Sequence, residues 1–128
     1  MARRAVVVED MEAVARAISS ILNLDGFDEV HVVTDPREAL RVVRQVDPEL
    51  VVLDVRMPHL TGAQVIQAIG RRAGHRPGLL VYSATAREEL DRALQGTGLG
   101  YDAFLAKPAT LQELKAAIGA VLALAPPA

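Results

Sequence analysis

Five polar side chains in this sequence follow short apolar segments, and their types suit chemistry on negatively charged oxygen groups. They are three carboxylates, one hydroxyl and one ammonium, namely Glu9, Asp10, Asp54, Ser83 and Lys107. If they meet in one cleft, three negative charges against one positive charge are unfavourable, and a hard divalent cation relieves the excess. Mg²⁺ prefers one or two carboxylates together with water and phosphate oxygens. A remaining carboxylate could then attack phosphorus, while the ammonium and the hydroxyl neutralise charge on the phosphoryl oxygens.

Apolar runs rich in β-branched residues must position these side chains. Such runs are typical of strands buried on both faces of a parallel sheet. Five are present, the last one weaker: Ala5–Val8, Val30–Val33, Leu50–Leu53, Leu79–Tyr82 and Ala103–Leu105. Helical segments alternate with them, so the sequence predicts a (βα)5 α/β fold with a doubly wound, five-stranded parallel sheet. In the strand order 2-1-3-4-5, ligands bind beyond the carboxyl ends of the strands, where the five polar side chains lie.

The first and last helices have the clearest apolar faces. In each helix the apolar residues fall on one face: Met11, Val14, Ala15, Ile18 and Leu22 in the first, and Leu111, Leu114, Ala117, Ile118 and Val121 in the last. Thr110 with Glu113 fits a capping box. Asp35 followed by Pro36 fits an N-cap and a first helical position. Asp10 is expected both to cap the first helix and to bind metal.

Length and composition bound the class of protein. With 128 residues, 51% hydrophobic and 23% charged, the chain predicts a single domain over residues 1–128, with its core at about 4–124. The lack of cysteine excludes disulfides and thiolate chemistry. A net charge of -2 and 3% aromatic residues argue against direct nucleic-acid binding. No stretch reads as a signal peptide or membrane span, so we expect a cytoplasmic protein without a membrane partner.

The residues at the strand ends form four motifs that resemble those of a known family. The motifs are Val8-Glu9-Asp10, the stretch Leu53–Gly62, Ser83-Ala84 and the stretch Asp102–Pro108. In this order, each at a strand end, they resemble the receiver domain of two-component response regulators, with its CheY-like, flavodoxin-like fold. The resemblance covers essentially the whole chain.

The resemblance implies a role for each matched residue in phosphoryl transfer. Asp54 is expected to be the phosphoacceptor, and Lys107 and Ser83 are expected to contact the phosphoryl group. Ser83 and Phe104 are expected to form the conformational switch.

A metal site and a turn follow from the same resemblance. Mg²⁺ is expected on Glu9, Asp10, Asp54 and the backbone carbonyl of Arg56. The bond between Lys107 and Pro108 is expected to be cis, and the loop after the acceptor to be shaped by Met57, Pro58 and Gly62.

The implied function is signalling, with catalysis limited to the protein's own phosphorylation and dephosphorylation. The expected phosphoryl donor is a sensor histidine kinase or a phosphotransfer protein, recognised through the first helix near Met11, Glu12, Val14 and Ala15. Phosphorylation is expected to reshape the face made by the fourth helix, fifth strand and fifth helix, and so to control a downstream effector or output domain. A homodimer through that face is compatible with the resemblance, although no residue pattern argues for it.

Several positions depart from the common pattern of the family. Glu9, Ser83 and Phe104 stand where Asp, Thr and Tyr are common. Arg56 places a cation near the acceptor and is expected to alter the lifetime of the acyl phosphate. The glycine-rich segment Gln95–Gly100 suggests a mobile or reshaped output face.

Two other functions remain open. The same fold could serve as a pseudo-receiver, an interaction module without phosphoryl chemistry, although the intact acidic, hydroxyl and lysine positions argue against it. A metal-dependent phosphatase with an aspartate nucleophile usually needs a second acid two residues later, where this chain has Arg56. Considered one at a time, these side chains are also typical of helix caps, of loops or of the core.

Overall fold

Five parallel strands form one sheet in the order β2-β1-β3-β4-β5. The structure is a computed structural model, and it describes residues 3–56, 60–69 and 77–124. The strands are β1 Arg4–Val8, β2 Glu29–Val33, β3 Leu50–Leu53, β4 Gly78–Ser83 and β5 Ala103–Ala106. The predicted fold and strand order are therefore confirmed.

Successive side chains of each strand point to opposite sides of the sheet. Since the central strands are apolar throughout, both faces of the sheet are apolar, and helices cover both. The helices are α1 Glu12–Leu24, α2 Ala39–Val46, α3 Gly62–Ile69, α4 Arg87–Leu94 and α5 Leu111–Leu124, and a 3-10 turn, Pro36–Glu38, precedes α2. Buried residues of α1 and α5 pack on one face, together with Ala5 and Val7 of β1. Buried residues of α2, α3 and α4 pack on the other, together with Val6 and Val8.

The register of the sheet brings the strand ends to one edge. Val8 lies opposite both Val33 and Leu53, so the residues that follow β1 and β3 are neighbours. β4 runs two residues further, since Leu53 lies opposite Val81, and its last residue, Ser83, lies opposite Ala106. Residues from β1, β3, β4 and β5 therefore reach the same edge.

The burial of some predicted elements differs from the expectation. β2 and β5 were predicted to be buried on both faces, but most of their residues are half-buried or exposed. They are the edge strands, so each has a neighbouring strand on one side only. Met11 and Leu111, assigned to apolar helix faces, are 57% and 55% exposed. Met11 is the N-cap of α1 and Leu111 the first residue of α5, so both lie at the ends of their helices.

Of the three helix caps predicted from the sequence, two are confirmed and one is wrong. The Thr110 hydroxyl accepts from the Glu113 N–H at 3.1 Å, and the Glu113 carboxylate accepts from the Thr110 N–H at 2.9 Å. Asp35 caps the 3-10 turn by accepting from the Arg37 N–H. Asp10 does not cap α1, because the N-cap is Met11, whose own N–H donates to the carboxylate of Glu9 at 3.3 Å.

Candidate functional site

Asp54 lies directly after β3 with a carboxylate that is held from three sides. Its Oδ1 accepts from the Ser83 hydroxyl at 2.8 Å and from the Arg56 N–H at 3.0 Å. Its Oδ2 accepts from the Lys107 ammonium at 3.3 Å. The residue is only 6% exposed. The three donors come from different chain segments and fix the direction of a nearly buried carboxylate.

Three carboxylates meet at this edge of the sheet. Glu9, Asp10 and Asp54 each offer one oxygen, and these oxygens lie within 4.8 Å of one another. Glu9 is 1% exposed, and Asp10 is half-buried. Hard carboxylate oxygens are the ligands that Mg²⁺ takes in proteins. The donor set therefore fits the magnesium ion that the sequence analysis expected.

The Lys107 ammonium balances part of this negative charge. Its Nζ lies 2.6 Å from Glu9 Oε1, and the bond between Lys107 and Pro108 is cis, as expected. Burial raises the pKa of the Glu9 carboxyl to about 7; the hydrogen bond from Lys107 opposes this shift and the charge of Asp54 adds to it. Burial alone would lower the pKa of Lys107, but the hydrogen bond to Glu9 and the charges of Asp54 and Glu9 raise it above its ordinary value. One cation thus serves two buried acids.

Ser83 is fully buried at the end of β4, with its hydroxyl between Asp54 and the following loop. The Oγ that donates to Asp54 also accepts from the Thr85 N–H at 3.2 Å. Thr85 was not among the site residues predicted from the sequence. A hydroxyl that accepts from the backbone two residues on is a turn motif with a recognisable sequence signal. This contact ties the start of the loop before α4 to the acceptor.

A close backbone contact shapes the loop after Asp54. The Gly62 N–H donates to the Val55 carbonyl at 3.0 Å, and a Cβ on Gly62 would lie 2.1 Å from the Val55 side chain. Only glycine fits there. The predicted roles of Met57 and Pro58 fall on residues outside those described. The Arg56 side chain is exposed, and it borders a pocket of about 290 Å³ between the start of α3 and α4.

Phe104 does not join this cluster of polar groups. It is half-buried in β5 and packs against the core that faces α2, α3 and α4. Its ring lies 6.3 Å from that of Tyr101, centroid to centroid. The Tyr101 hydroxyl donates to Asp91 and accepts from Arg87 Nε at 3.1 Å, so it is anchored to α4. Burial and the hydrogen bond to Asp91 raise the pKa of Tyr101.

The segment before Tyr101 forms a turn that is tied to the end of α4. Gly96 and Gly98 have positive φ angles of 79° and 74°. Thr97 donates its hydroxyl to the Leu94 carbonyl at 2.6 Å and accepts from the Leu99 N–H at 3.1 Å. The glycines supply the left-handed conformation that this turn needs. Its mobility stays a prediction.

An apolar groove of about 400 Å³ lies between α1 and the start of α5. Its lining is mostly small or aliphatic, with one aromatic ring at its base: Ala13, Val14, Ala17, Ile18, Ile21, Tyr82, Ala109, Thr110, Leu111 and Leu114. Tyr82 precedes Ser83 in β4 and packs with the α1 and α5 layer, because neighbouring residues in a strand face opposite sides. Its ring centroid is 5.3 Å from Lys107 Nζ. This contact was not predicted from the sequence, because it joins β4 to the turn after β5.

Comparison with known proteins shows which sequences and folds this chain is similar to. The sequence profile described as the response regulator receiver domain matches residues 5–119. Response regulator MprA of Mycolicibacterium vanbaalenii is 35% identical over 119 residues, which are 93% of this chain and 50% of that protein. Transcriptional regulatory protein PrrA of Mycobacterium leprae is 36% identical over 93% of this chain and 49% of its own length. This chain therefore spans about half the length of the curated relatives it matches.

Solved structures support the same fold. A CheY-like receiver domain protein from Methanospirillum hungatei aligns with a TM-score of 0.80 at 22% identity, over 96% of this chain and 95% of its own. Chemotaxis protein CheY4 of Vibrio cholerae aligns with a TM-score of 0.77 at 20% identity, over 94% and 99%. None of the helices in the described part of the chain has the length and apolar character needed to cross a bilayer.

Proposed function

Because the chain belongs to the response regulator receiver domain family of two-component systems, we propose that Asp54 accepts a phosphoryl group from a phosphohistidine. The donor is a sensor histidine kinase or a phosphotransfer protein. The observation that carries this proposal is the Asp54 carboxylate itself, which is nearly buried and held by Ser83, Lys107 and the Arg56 N–H. Such positioning and charge neutralisation are what phosphoryl transfer chiefly requires of a protein.

The chemical step uses the Asp54 oxygen with fewer contacts. Oδ1 already accepts two hydrogen bonds, while the one described contact of Oδ2 is Lys107. Oδ2 forms the new O–P bond as the N–P bond of the phosphohistidine breaks. The imidazole nitrogen keeps the bonding electron pair and takes up a proton from water. Lys107 and Ser83 then donate to the phosphoryl oxygens, where negative charge develops.

The acid cluster is proposed to hold the magnesium ion. Glu9, Asp10 and Asp54 would supply carboxylate oxygens, and the Arg56 backbone would supply a carbonyl. When bound, Mg²⁺ supplies positive charge that offsets the negative charge of the phosphoryl oxygens. The proximity of the three carboxylate oxygens supports this assignment. Within the part of the chain that the structure describes, Lys107 is the only cationic side chain in contact with these acids.

Phosphorylation is proposed to act on the face formed by α4, β5 and α5. Ser83 would turn its hydroxyl from Asp54 toward the phosphoryl group, and Phe104 would move into the space released. Phe104 contacts Tyr101, which is bonded to α4, so its movement would reach that helix. A downstream effector or an output domain would read the altered face, and homodimerisation through it is a further proposal.

The α1–α5 groove is proposed as the docking surface for the phosphoryl donor. It borders Tyr82, which precedes Ser83, and Ala109, which follows Pro108. A partner seated there lies close to Asp54. Its lining is apolar, and the exposed side chains of Met11 and Leu111 lie at the ends of the two helices.

Phosphorylation by a small donor tests the proposed function directly. The intact protein is incubated with Mg²⁺ and acetyl phosphate and then weighed by mass spectrometry. We expect one phosphoryl adduct in the native protein and none in Asp54→Asn. Asp47→Asn, the same substitution at an exposed position, serves as the matched control and gains the adduct. A native protein that gains no adduct overturns the proposal and favours a pseudo-receiver.

A further inference from the structure

The Lys107 ammonium has an aromatic neighbour in addition to its two carboxylate partners. Glu9 and Asp54 lie 2.6 and 3.3 Å from Nζ, and the centroid of the Tyr82 ring lies 5.3 Å from it. A cation within about 6 Å of a ring centroid is attracted by the negative face of the ring. The Lys107 side chain is only 16% exposed, so water screens this attraction less than at an open surface. The face of the Tyr82 ring is therefore placed to attract the ammonium where it contacts Asp54.

A lysine needs such support because its chain is long. Four rotatable carbons give the side chain many rotamers, and holding one of them costs conformational entropy. Tyr82 is better fixed, since it lies within β4 and packs against the α1 and α5 layer. Its position opposite Leu105, two residues before Lys107, keeps it beside the turn that carries the lysine.

We infer that Tyr82 is a positioning residue for Lys107, holding the ammonium toward Asp54 through the face of its ring. This inference rests on the proposed function, in which Lys107 contacts the phosphoryl group. The same ring lines the α1–α5 groove. A partner seated in the groove therefore covers the ring that supports the lysine, and the docking surface is joined to the reaction site by one side chain.

Two substitutions separate ring support from simple packing. Tyr82→Phe keeps the ring face and removes the hydroxyl. Tyr82→Leu keeps an apolar side chain in the strand and removes the ring. If Tyr82 only fills space, Tyr82→Leu lowers the stability of the protein through the cavity that it leaves, but both variants are phosphorylated at the native rate. If the ring positions Lys107, only Tyr82→Leu differs from the native protein.

The lysine content of the chain allows a direct readout on the metal-free protein. Lys107 and Lys115 are its only lysines, and Lys115 is exposed on α5, so NMR of lysine-labelled protein has an internal reference. We expect ring-current shifts to move the Lys107 side-chain signals upfield of those of Lys115 in the native protein and in Tyr82→Phe. In Tyr82→Leu this displacement disappears. Lys107 signals that coincide with those of Lys115 in the native protein, or that persist upfield in Tyr82→Leu, overturn the inference.

Phosphorylation kinetics give the second measurement. With acetyl phosphate, which does not need the groove, Tyr82→Leu is expected to be phosphorylated about three- to tenfold more slowly, and Tyr82→Phe within about twofold of the native rate. Equal rates for the two variants contradict the inference. If the native protein takes up no phosphoryl group, the proposed function fails. The lysine spectra then still decide whether the Tyr82 ring lies over the Lys107 side chain.

Discussion

At the scale of single residues, Asp54 is distinguished by hydrogen-bond donors that already surround its carboxylate before any reaction. Ser83 and the Arg56 N–H both donate to Oδ1 of Asp54, and Lys107 donates to Oδ2. Donors that already point at the reacting carboxylate need little reorganisation during transfer. Glycine has a comparable part in the loop that follows, because Gly62 approaches Val55 more closely than any side chain would permit.

Gly62→Ala is expected to destabilise the protein by about 1–3 kcal/mol, because overpacking forces neighbouring atoms to shift. The added Cβ would lie 2.5 Å from the Val55 Cα, and backbone cannot swing away as a flexible side chain can. The free energy of unfolding from urea titrations provides the measurement.

Gly119→Ala is the matched control for this substitution. Gly119 lies in α5, and an added Cβ meets no atom within 4 Å. Because glycine weakens a helix interior, the control should gain about 0.5–1 kcal/mol. Equal effects of the two substitutions would contradict the explanation from local packing.

At the scale of the elements, the start of α5 follows the turn that carries the site lysine. The chain passes from Lys107 through the cis bond to Pro108 and enters α5 at Leu111. The capping box of Thr110 and Glu113 satisfies two N–H groups at this helix end. These hydrogen bonds to Thr110 lower the pKa of Glu113 below its ordinary value of 4.5.

Thr110→Ala is expected to cost about 1 kcal/mol of stability at pH 7, the usual effect of losing an N-cap. Glu113→Gln tests the charge. Since its folded pKa is depressed, the ionised Glu113 contributes stability above pH 4.5 that is lost as the pH falls through the folded pKa.

Thermal unfolding of the native protein and Glu113→Gln between pH 7 and pH 3 measures this dependence. The difference between the two proteins should narrow as the solution becomes more acidic. A difference that stays constant over that range would show that ionisation of Glu113 does not support the cap.

At the scale of the whole molecule, the acid cluster exists only when the sheet is assembled. Glu9 and Asp10 follow β1, and Asp54 follows β3. The oxygens come within 4.8 Å because Val8 lies opposite Leu53 in the sheet. Their negative charge opposes folding, and a cation that binds this cluster in the folded protein alone would offset it.

Mg²⁺ is therefore expected to stabilise the native protein by about 2.7 kcal/mol at a concentration 100 times its dissociation constant. This corresponds to a rise in Tm of roughly 10 °C for a chain of this size. Thermal unfolding at constant ionic strength, with NaCl replacing MgCl2, provides the measurement.

Asp10→Asn should reduce this stabilisation, because it removes one carboxylate of the cluster. Asp47→Asn, at an exposed position, should leave it unchanged. If Asp10→Asn kept the full stabilisation, Mg²⁺ would be acting somewhere other than the cluster.

Local patterns in the sequence determined a large part of this molecule. Five apolar runs alternating with helices predicted five strands in a doubly wound parallel sheet, and the order 2-1-3-4-5, which is one of the common orders of such sheets, is the order observed. The residues that follow the strands could be expected at one edge, since parallel strands end together. The cap of α5 was also visible, because a capping box is formed by residues three apart.

Tertiary structure decided the features that depend on how separate segments pack together. The packing of Tyr82 beside Lys107, the anchoring of Tyr101 to α4 and the contact of Gly62 with Val55 each join side chains or backbone from different elements. Met11 and Leu111 belong to the apolar helix faces but are exposed, because periodicity gives the direction of a side chain but not how far the sheet extends beneath it. Hydrophobic spacing is a property of one segment, whereas these contacts depend on the distance and angle between segments, which only the packed chain defines.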